Sequence, residues 1–402
     1  MEYFKKILQK HAKLHPAILP QDIVKLCYQA TFGAEHLLLH RDKAFNYFMH
    51  EYIATPTEST SAFESISSNH TNKKHTTSTT KSLPVFESIY NKNEHITSST
   101  IELLPLFEPI CASYARCNFS AWKKQNLPAE WLFEMFYHTA SQKSAGTEEL
   151  FWNYIQIAES LLTEHIFSFS EEEWNDYISY YQKNGVRAVH HSENYQKNEC
   201  PAYRLIDSRY TKLLPILEKL AKQTPTNTTA IFKPTVIAID GRAGAGKSTI
   251  AQLLSDILNA PIIQMDDFFL PPALRNESRL QETGGNVHYE RFYEEVLPFL
   301  KKNTPFSYRR FDCHRMNYNG KKEIPTSMWY IVEGSYSMHP TFGNYMDISV
   351  FCDISAEKQR KRICLRNGEA MLKRFTDTWI PMEEHYFETE HIRKRCDVVL
   401  FP

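Results

Sequence analysis

Gly241-Arg242-Ala243-Gly244-Ala245-Gly246-Lys247-Ser248-Thr249 (GRAGAGKST) follows the apolar run TVIAID and opens the amphipathic run KSTIAQLLSDIL. The order is strand, turn, helix, and the turn has the spacing G-x-x-x-x-G-K-[ST]. Three of the chain's twelve glycines fall within its first six residues. Glycine accepts backbone angles that aim successive amides at one point, and the helix start adds its partial positive charge there. Such a cradle takes phosphate oxygens. Gly241, Ala243, Gly244, Ala245 and Gly246 supply the loop, Lys247 reaches the β- and γ-phosphates, Ser248 offers a hydroxyl to Mg2+, and Thr249 completes the cradle. The expected ligand is a nucleoside triphosphate with Mg2+.

Outward from this stretch, residues 231–402 alternate short apolar runs with helical patterns. TVIAID, APIIQMD, MWYIVEG, DISVFCDI and CDVVLF read as strands, with KSTIAQLLSDIL and YERFYEEVLPFLKK as helices between them. Continuous apolar strands of this kind belong to a sheet buried on both faces. The prediction is an α/β, three-layer fold on a five-stranded, mainly parallel sheet. The linker KQTPTNTTA precedes it.

Residues 1–222 read differently. PQDIVKLCYQATFGAEHLLLHRDKAFNYFMHEY repeats apolar residues at three- and four-residue steps. EEEWNDYISYYQKNG has an acidic first turn and ends at Gly185, and SRYTKLLPILEKLAKQ reads as a last helix. An all-α domain is predicted. Between about 55 and 100 it is interrupted by a segment rich in Ser, Thr, Asn, Lys and His, in which AFESI and VFESI recur before LFEPI at Phe107. The units lack the apolar residues to stack as a solenoid, so a duplicated surface insertion is expected, with LFEPI part of the folded domain.

A chain of 402 residues suggests two domains, and a net charge of −1 gives no global field for nucleic acid or an anionic membrane. The eight cysteines form no CxxC pair, no signal-peptide core opens the chain, and no apolar run has the length of a membrane span. A cytoplasmic location is expected.

Asp266 and Asp267 close the strand IIQMDDFFL, nineteen positions after Lys247. In an open α/β sheet that strand end is where ligands bind. A carboxylate there faces the γ-phosphate from the acceptor side and suits the base that takes or orients a hydroxyl proton.

With these residues in view, GRAGAGKST, MDDFF and IVEG, in this order and spacing, resemble the uridine kinase family and its relative nicotinamide riboside kinase. Pantothenate kinase and phosphoribulokinase are more distant relatives. The resemblance covers about residues 234–402 and implies the P-loop kinase fold, with ATP and Mg2+ as cofactors. It makes Asp266 the catalytic base and a neighbour of the metal. Asp267 supports metal or substrate, and Phe268 and Phe269 lie near the acceptor. Glu333 of YIVEG would hold the Mg2+ shell. GGNVHYERFYEEVL resembles the segment that holds acceptor ribose hydroxyls, but His288 stands where the family has an aspartate. Arg291 either contacts substrate or pairs with Glu294 or Glu295 on its own helix. Asp312 and Tyr308 of YRRFDCH are further substrate-side candidates. The basic segment KQRKRICLRNGEAMLKRF resembles the family's lid, with Arg362, Arg366 and Arg374 over the phosphates; Trp379 and Tyr386 follow it.

The acceptor implied is a small molecule, a nucleoside such as uridine. A pantothenate-type alcohol is the alternative that His288 raises, and a nucleotide-dependent switch without acceptor activity is the rival class. Self-association is left open. HPAILPQDIVKLCYQATFGAEHLL resembles a front domain found ahead of some bacterial uridine-kinase-like proteins, with no mechanism attached. Glu35, His36, His190 and His191 are read as ordinary core or surface residues, and YRLIDSRYTKLL as a segment that docks the front domain on the rest.

Overall fold

The computed structural model describes residues 2–34, 40–57, 104–223, 233–313 and 315–402. The insertion read at 55–100 lies, from residue 58 on, outside the described residues, as do Glu35 and His36.

The front half holds helices where periodicity placed them, at Pro20–Phe32, Arg41–Ala54, Glu171–Lys183 and Leu214–Gln223, and further helices at Glu2–Leu14, Ala129–Ser141 and Glu148–Ser160. Helix Glu171–Lys183 is set by its own sequence. Ser170 Oγ accepts from Glu173 N (3.2 Å), and the Glu173 carboxylate returns a bond to Ser170 N (2.7 Å). Gly185 follows the helix at φ +73°.

The all-α expectation is corrected here. β1 (Phe107–Pro109), β2 (Tyr114–Asn118) and β3 (Tyr203–Asp207) form an antiparallel sheet in the order β1-β2-β3. Tyr114 pairs with Asp207 and Asn118 with Tyr203. Partners so far apart in the chain leave no local period, and strands of three to five residues are too short to show alternation. LFEPI does join the folded part, as β1.

The C-terminal half carries β4 (Thr235–Gly241), β5 (Ile262–Gln264), β6 (Phe306–Asp312), β7 (Asn317–Ile324), β8 (Trp329–Glu333), β9 (Ile348–Cys352) and β10 (Val398–Leu400). The five expected strands form one sheet, β10-β9-β4-β8-β5, and every pairing in it is parallel. β6 and β7 pair separately as an antiparallel hairpin, with a register shift between Arg309 and Phe311.

Side chains alternate across β4 as a strand requires. Val236 and Ala238 face a core with Phe268, Phe292, Tyr308, Tyr330 and Phe351. Ile237 and Ile239 face the other side, with Ile250, Leu253, Leu254 and Ile257 of helix Lys247–Leu258. That second core continues without a break into Trp131, Leu132, Met135, Leu213, Ile216 and Leu217 of the front half. Trp131 meets Trp329 edge to face, with ring centroids 6.3 Å apart. Tyr210 donates to Asp256 (3.4 Å), within the segment expected to dock the front half. The front half thus forms an additional layer against one side of the α/β sheet.

Candidate active site

β4 is the central strand, and the loop at its C-terminal end is the one that opened the sequence reading. Gly241 has φ +132°, and a Cβ there would lie 2.1 Å from the carbonyl oxygen of Cys352 in β9. Only glycine lets the chain leave the sheet at this point. Gly246, at φ +97°, caps helix Lys247–Leu258, so the helix start faces back into the loop.

The Lys247 ammonium donates to the carbonyls of Gly241 (2.6 Å) and Arg242 (3.2 Å) and to Ser335 Oγ (3.2 Å). Ser248 Oγ donates to Glu333 Oε2 (3.3 Å), at the end of β8. β5 delivers Met265–Phe268 as a 3-10 turn beside them. Asp266 reaches solvent from that turn, yet its carboxylate is crowded by protein on the cleft floor near Lys247, Glu333 and Arg366. Burial raises its pKa above the ordinary value, Asp267 adds to the rise, and Lys247 and Arg366 oppose it. The Glu333 carboxyl is also raised, by burial and then by the charge of Asp266, again against Lys247. Lys247, Ser248, Asp266 and Glu333 are therefore brought together at one sheet edge. Two carboxylates, one raising the pKa of the other, beside a hydroxyl form an all-oxygen donor set, and that set fits Mg2+.

Asp267 turns the other way. It is buried, accepts from Tyr308 Oη (2.9 Å), and pairs with Arg310 (3.4 Å). Phe268 is fully buried between Phe292 and Tyr308, so its ring forms floor under the turn and presents no open face. Arg291 is buried as well. It bonds both oxygens of Glu295 (3.1 Å each), the Asp267 carbonyl (3.3 Å) and the Arg309 carbonyl. Of its two readings, the pair on its own helix is the one present. His288 is held by Glu290 (3.1 Å), and its backbone N–H bonds the Phe268 carbonyl (2.7 Å). Burial lowers its pKa, against Glu290. Asp312 ends β6, accepting from Arg315 N (3.2 Å) and Asn319 (3.4 Å).

The basic segment forms helices Ala356–Asn367 and Glu369–Arg374, broken at Gly368. Arg362 reaches the loop, donating to Gly244 O (3.2 Å) and Pro402 O (3.1 Å). Arg366 acts on Asp266 through its charge and bonds Asn367 (2.8 Å). Arg374 instead lies over the Trp379 ring, 5.1 Å from its centroid.

Four carboxylates that the sequence reading missed also shape the loop. Glu383 is buried and accepts from the loop amide Ala243 N (3.0 Å) and from Ser335 Oγ (2.6 Å). Burial raises its pKa, with Lys247 opposing. Glu384 pairs with Arg242 (2.5 and 2.8 Å), as does Asp353. Asp240 is buried beneath the loop and takes Gly241 N (2.7 Å), Tyr336 N (3.2 Å), Met338 N (3.1 Å) and Tyr386 Oη (2.9 Å). A signal for Glu383 existed: EE after WIPM is a pair of like charges, as DD is after IIQM. In the front half, His191 is occupied by Asp22 (2.9 Å) and Tyr203 (2.8 Å).

No family model matches the chain, and no curated protein does. Among solved structures, a possible uridine kinase from Bacillus stearothermophilus is similar over 48% of this chain and 98% of that one, at 21% identity and TM-score 0.36. A D-glycerate 3-kinase from Cryptococcus neoformans is similar over 44% of this chain and 87% of that one, at 14% identity and TM-score 0.30. The fold itself stands on the sheet order and on the glycine loop at the end of its central strand. By those features the C-terminal half of this chain has the P-loop kinase fold.

Proposed function

We propose that this chain is a small-molecule kinase, moving the γ-phosphate of ATP to a hydroxyl group, with the 5′-hydroxyl of a nucleoside such as uridine as the preferred acceptor. The observation that carries the reading is the convergence of Lys247, Ser248, Asp266 and Glu333 at the C-terminal ends of β4, β5 and β8. The loop amides and Lys247 would hold the triphosphate, while Ser248, Glu333 and Asp266 would hold Mg2+. When bound, Mg2+ draws charge from the phosphate oxygens. Asp266 orients the acceptor hydroxyl and takes its proton. Asp267, fixed by Tyr308 and Arg310, holds the turn that presents Asp266. Arg362 and Arg366 come from the lid to neutralise the transferring group. We further propose residues 1–222 as an accessory unit to the kinase unit 231–402.

The test is ADP release by the full chain with ATP and Mg2+, alone and with a panel of nucleosides, sugars and pantothenate-type alcohols. Release that depends on one class of acceptor supports the kinase and names its substrate. Slow release indifferent to every acceptor sinks it.

A further inference from the structure

We propose that the front half contains a transition-metal site of the zinc(II) class, built by His11, His15 and Glu108 and separate from the phosphate loop. His11 lies on helix Glu2–Leu14. His15, one turn later, continues that helix through the bond from its N–H to His11 O (3.0 Å). Residues four apart on a helix share a face, so both imidazoles meet Glu108, the middle residue of β1. Glu108 Oε1 is 2.6 Å from His11 Nδ1 and 3.2 Å from His15 Nε2. All three residues are buried, and one donor atom from each lies within 4.8 Å of the others.

The surroundings match those of a ligand set. His15 Nδ1, its other nitrogen, faces Glu199 Oε2 at 3.2 Å, and Glu199 is itself placed by the bond from Ala17 N–H (3.2 Å). A carboxylate behind a histidine fixes the ring and raises its basicity, as at most imidazole-bound metals. The second oxygen of Glu108 faces the buried guanidinium of Arg116 (3.9 Å), which leaves Oε1 directed at the histidines. A closed hydrogen-bond network would account for every buried polar atom. Here His11 Nε2 is buried with no hydrogen-bond partner among the described residues, and an orphan of that kind points to a missing ion or water. A cavity of about 230 Å3, lined in part by Tyr3, Leu14, His11 and Glu108, gives a path to the site.

Two imidazole nitrogens and one carboxylate oxygen form a donor set for zinc and its neighbours. Mg2+ and Ca2+ prefer oxygen alone. Three protein ligands leave a fourth position to water or a small ligand, as in open zinc sites. The same three residues lie between the first helix and β1, so a bound ion would tie together two segments about a hundred residues apart.

The test strips the full chain with a chelator and reloads it with Zn2+ in excess Mg2+, so that the phosphate-loop site does not compete. Metal content is then measured, with the visible absorption of Co2+ as a second readout that needs no variant. One equivalent per chain and a Co2+ spectrum of a nitrogen-and-oxygen site are expected. Glu108→Gln and His15→Gln are expected to fall to background with unchanged circular dichroism. Glu199→Gln is expected to keep the stoichiometry but weaken affinity about 10–100-fold. A wild-type chain that holds no Zn2+ and gives no Co2+ absorption overturns the proposal. So does equal binding by Glu108→Gln, which would mark adventitious binding.

Discussion

At the scale of single residues, the adjacent carboxylates Asp266 and Asp267 separate by direction. The 3-10 turn sends Asp267 inward to Tyr308 and leaves Asp266 outward, among Lys247, Arg366 and Glu333. One is tied into the turn and one is left facing the cleft. Glu383 shows the converse case. It sits on a loop amide that phosphate would use, yet it lies 140 residues from that amide in the chain. Asp266→Asn keeps shape and removes the base. It is expected to lower kcat by about 10^2–10^4 while ATP affinity, measured by calorimetry, stays within a few-fold. Near wild-type turnover in that variant would remove Asp266 from the chemistry.

At the scale of elements, the strands of the parallel sheet were legible because each is an apolar run bounded by turn residues. The short strands β1 to β3 were not, because strands of three to five residues show no alternation and the β2–β3 pairing is remote in the chain. The β6–β7 hairpin is held to helix Tyr289–Glu295 by the Glu295 carboxylate and by the bond from Arg291 to the Arg309 carbonyl. Glu295 bonds Arg291 (3.1 Å), Arg309 N (2.9 Å) and the Arg309 guanidinium (2.6 and 3.0 Å). Burial alone would raise its pKa, but these bonds outweigh burial and bring it from 4.5 to about 2. A depressed carboxylate contributes stability that is complete above its unfolded pKa. That contribution is lost as pH falls, here between about 4.5 and about 2. Glu295→Gln is therefore expected to destabilise the chain by about 1–3 kcal/mol near neutral pH. It should also flatten the acid limb of stability against pH, as read by denaturant unfolding. An acid limb identical to wild type would show that the hairpin does not depend on this carboxylate.

At the scale of the molecule, the front half and the sheet share a core. Ile250, Leu253, Leu254 and Ile257 of the loop helix lie in the same apolar cluster as Trp131 and Leu132. The boundary near residue 230 is a change of sequence pattern, and packing runs across it. A truncated chain starting at residue 233 would expose that apolar surface to water, at about 25 cal/mol per Å2. It is expected to aggregate, as light scattering would show. A monodisperse, stable product would mean that the sheet half closes its own core.

Residues local to one another determined much of this protein. The glycine loop, the lysine and serine after it, the strand before it and the alternation of strand with helix are all short-range patterns, and each could be read in order along the chain. Tertiary structure alone decided which of two aspartates faces the cleft, that Arg291 spends its donors on Glu295 and backbone carbonyls, that Glu383 reaches the loop, and that His11, His15 and Glu108 meet. Those outcomes depend on burial and on pairings between residues that are mostly far apart in the chain. Burial decides whether a charge is solvated or must find a partner, and a linear pattern does not carry it.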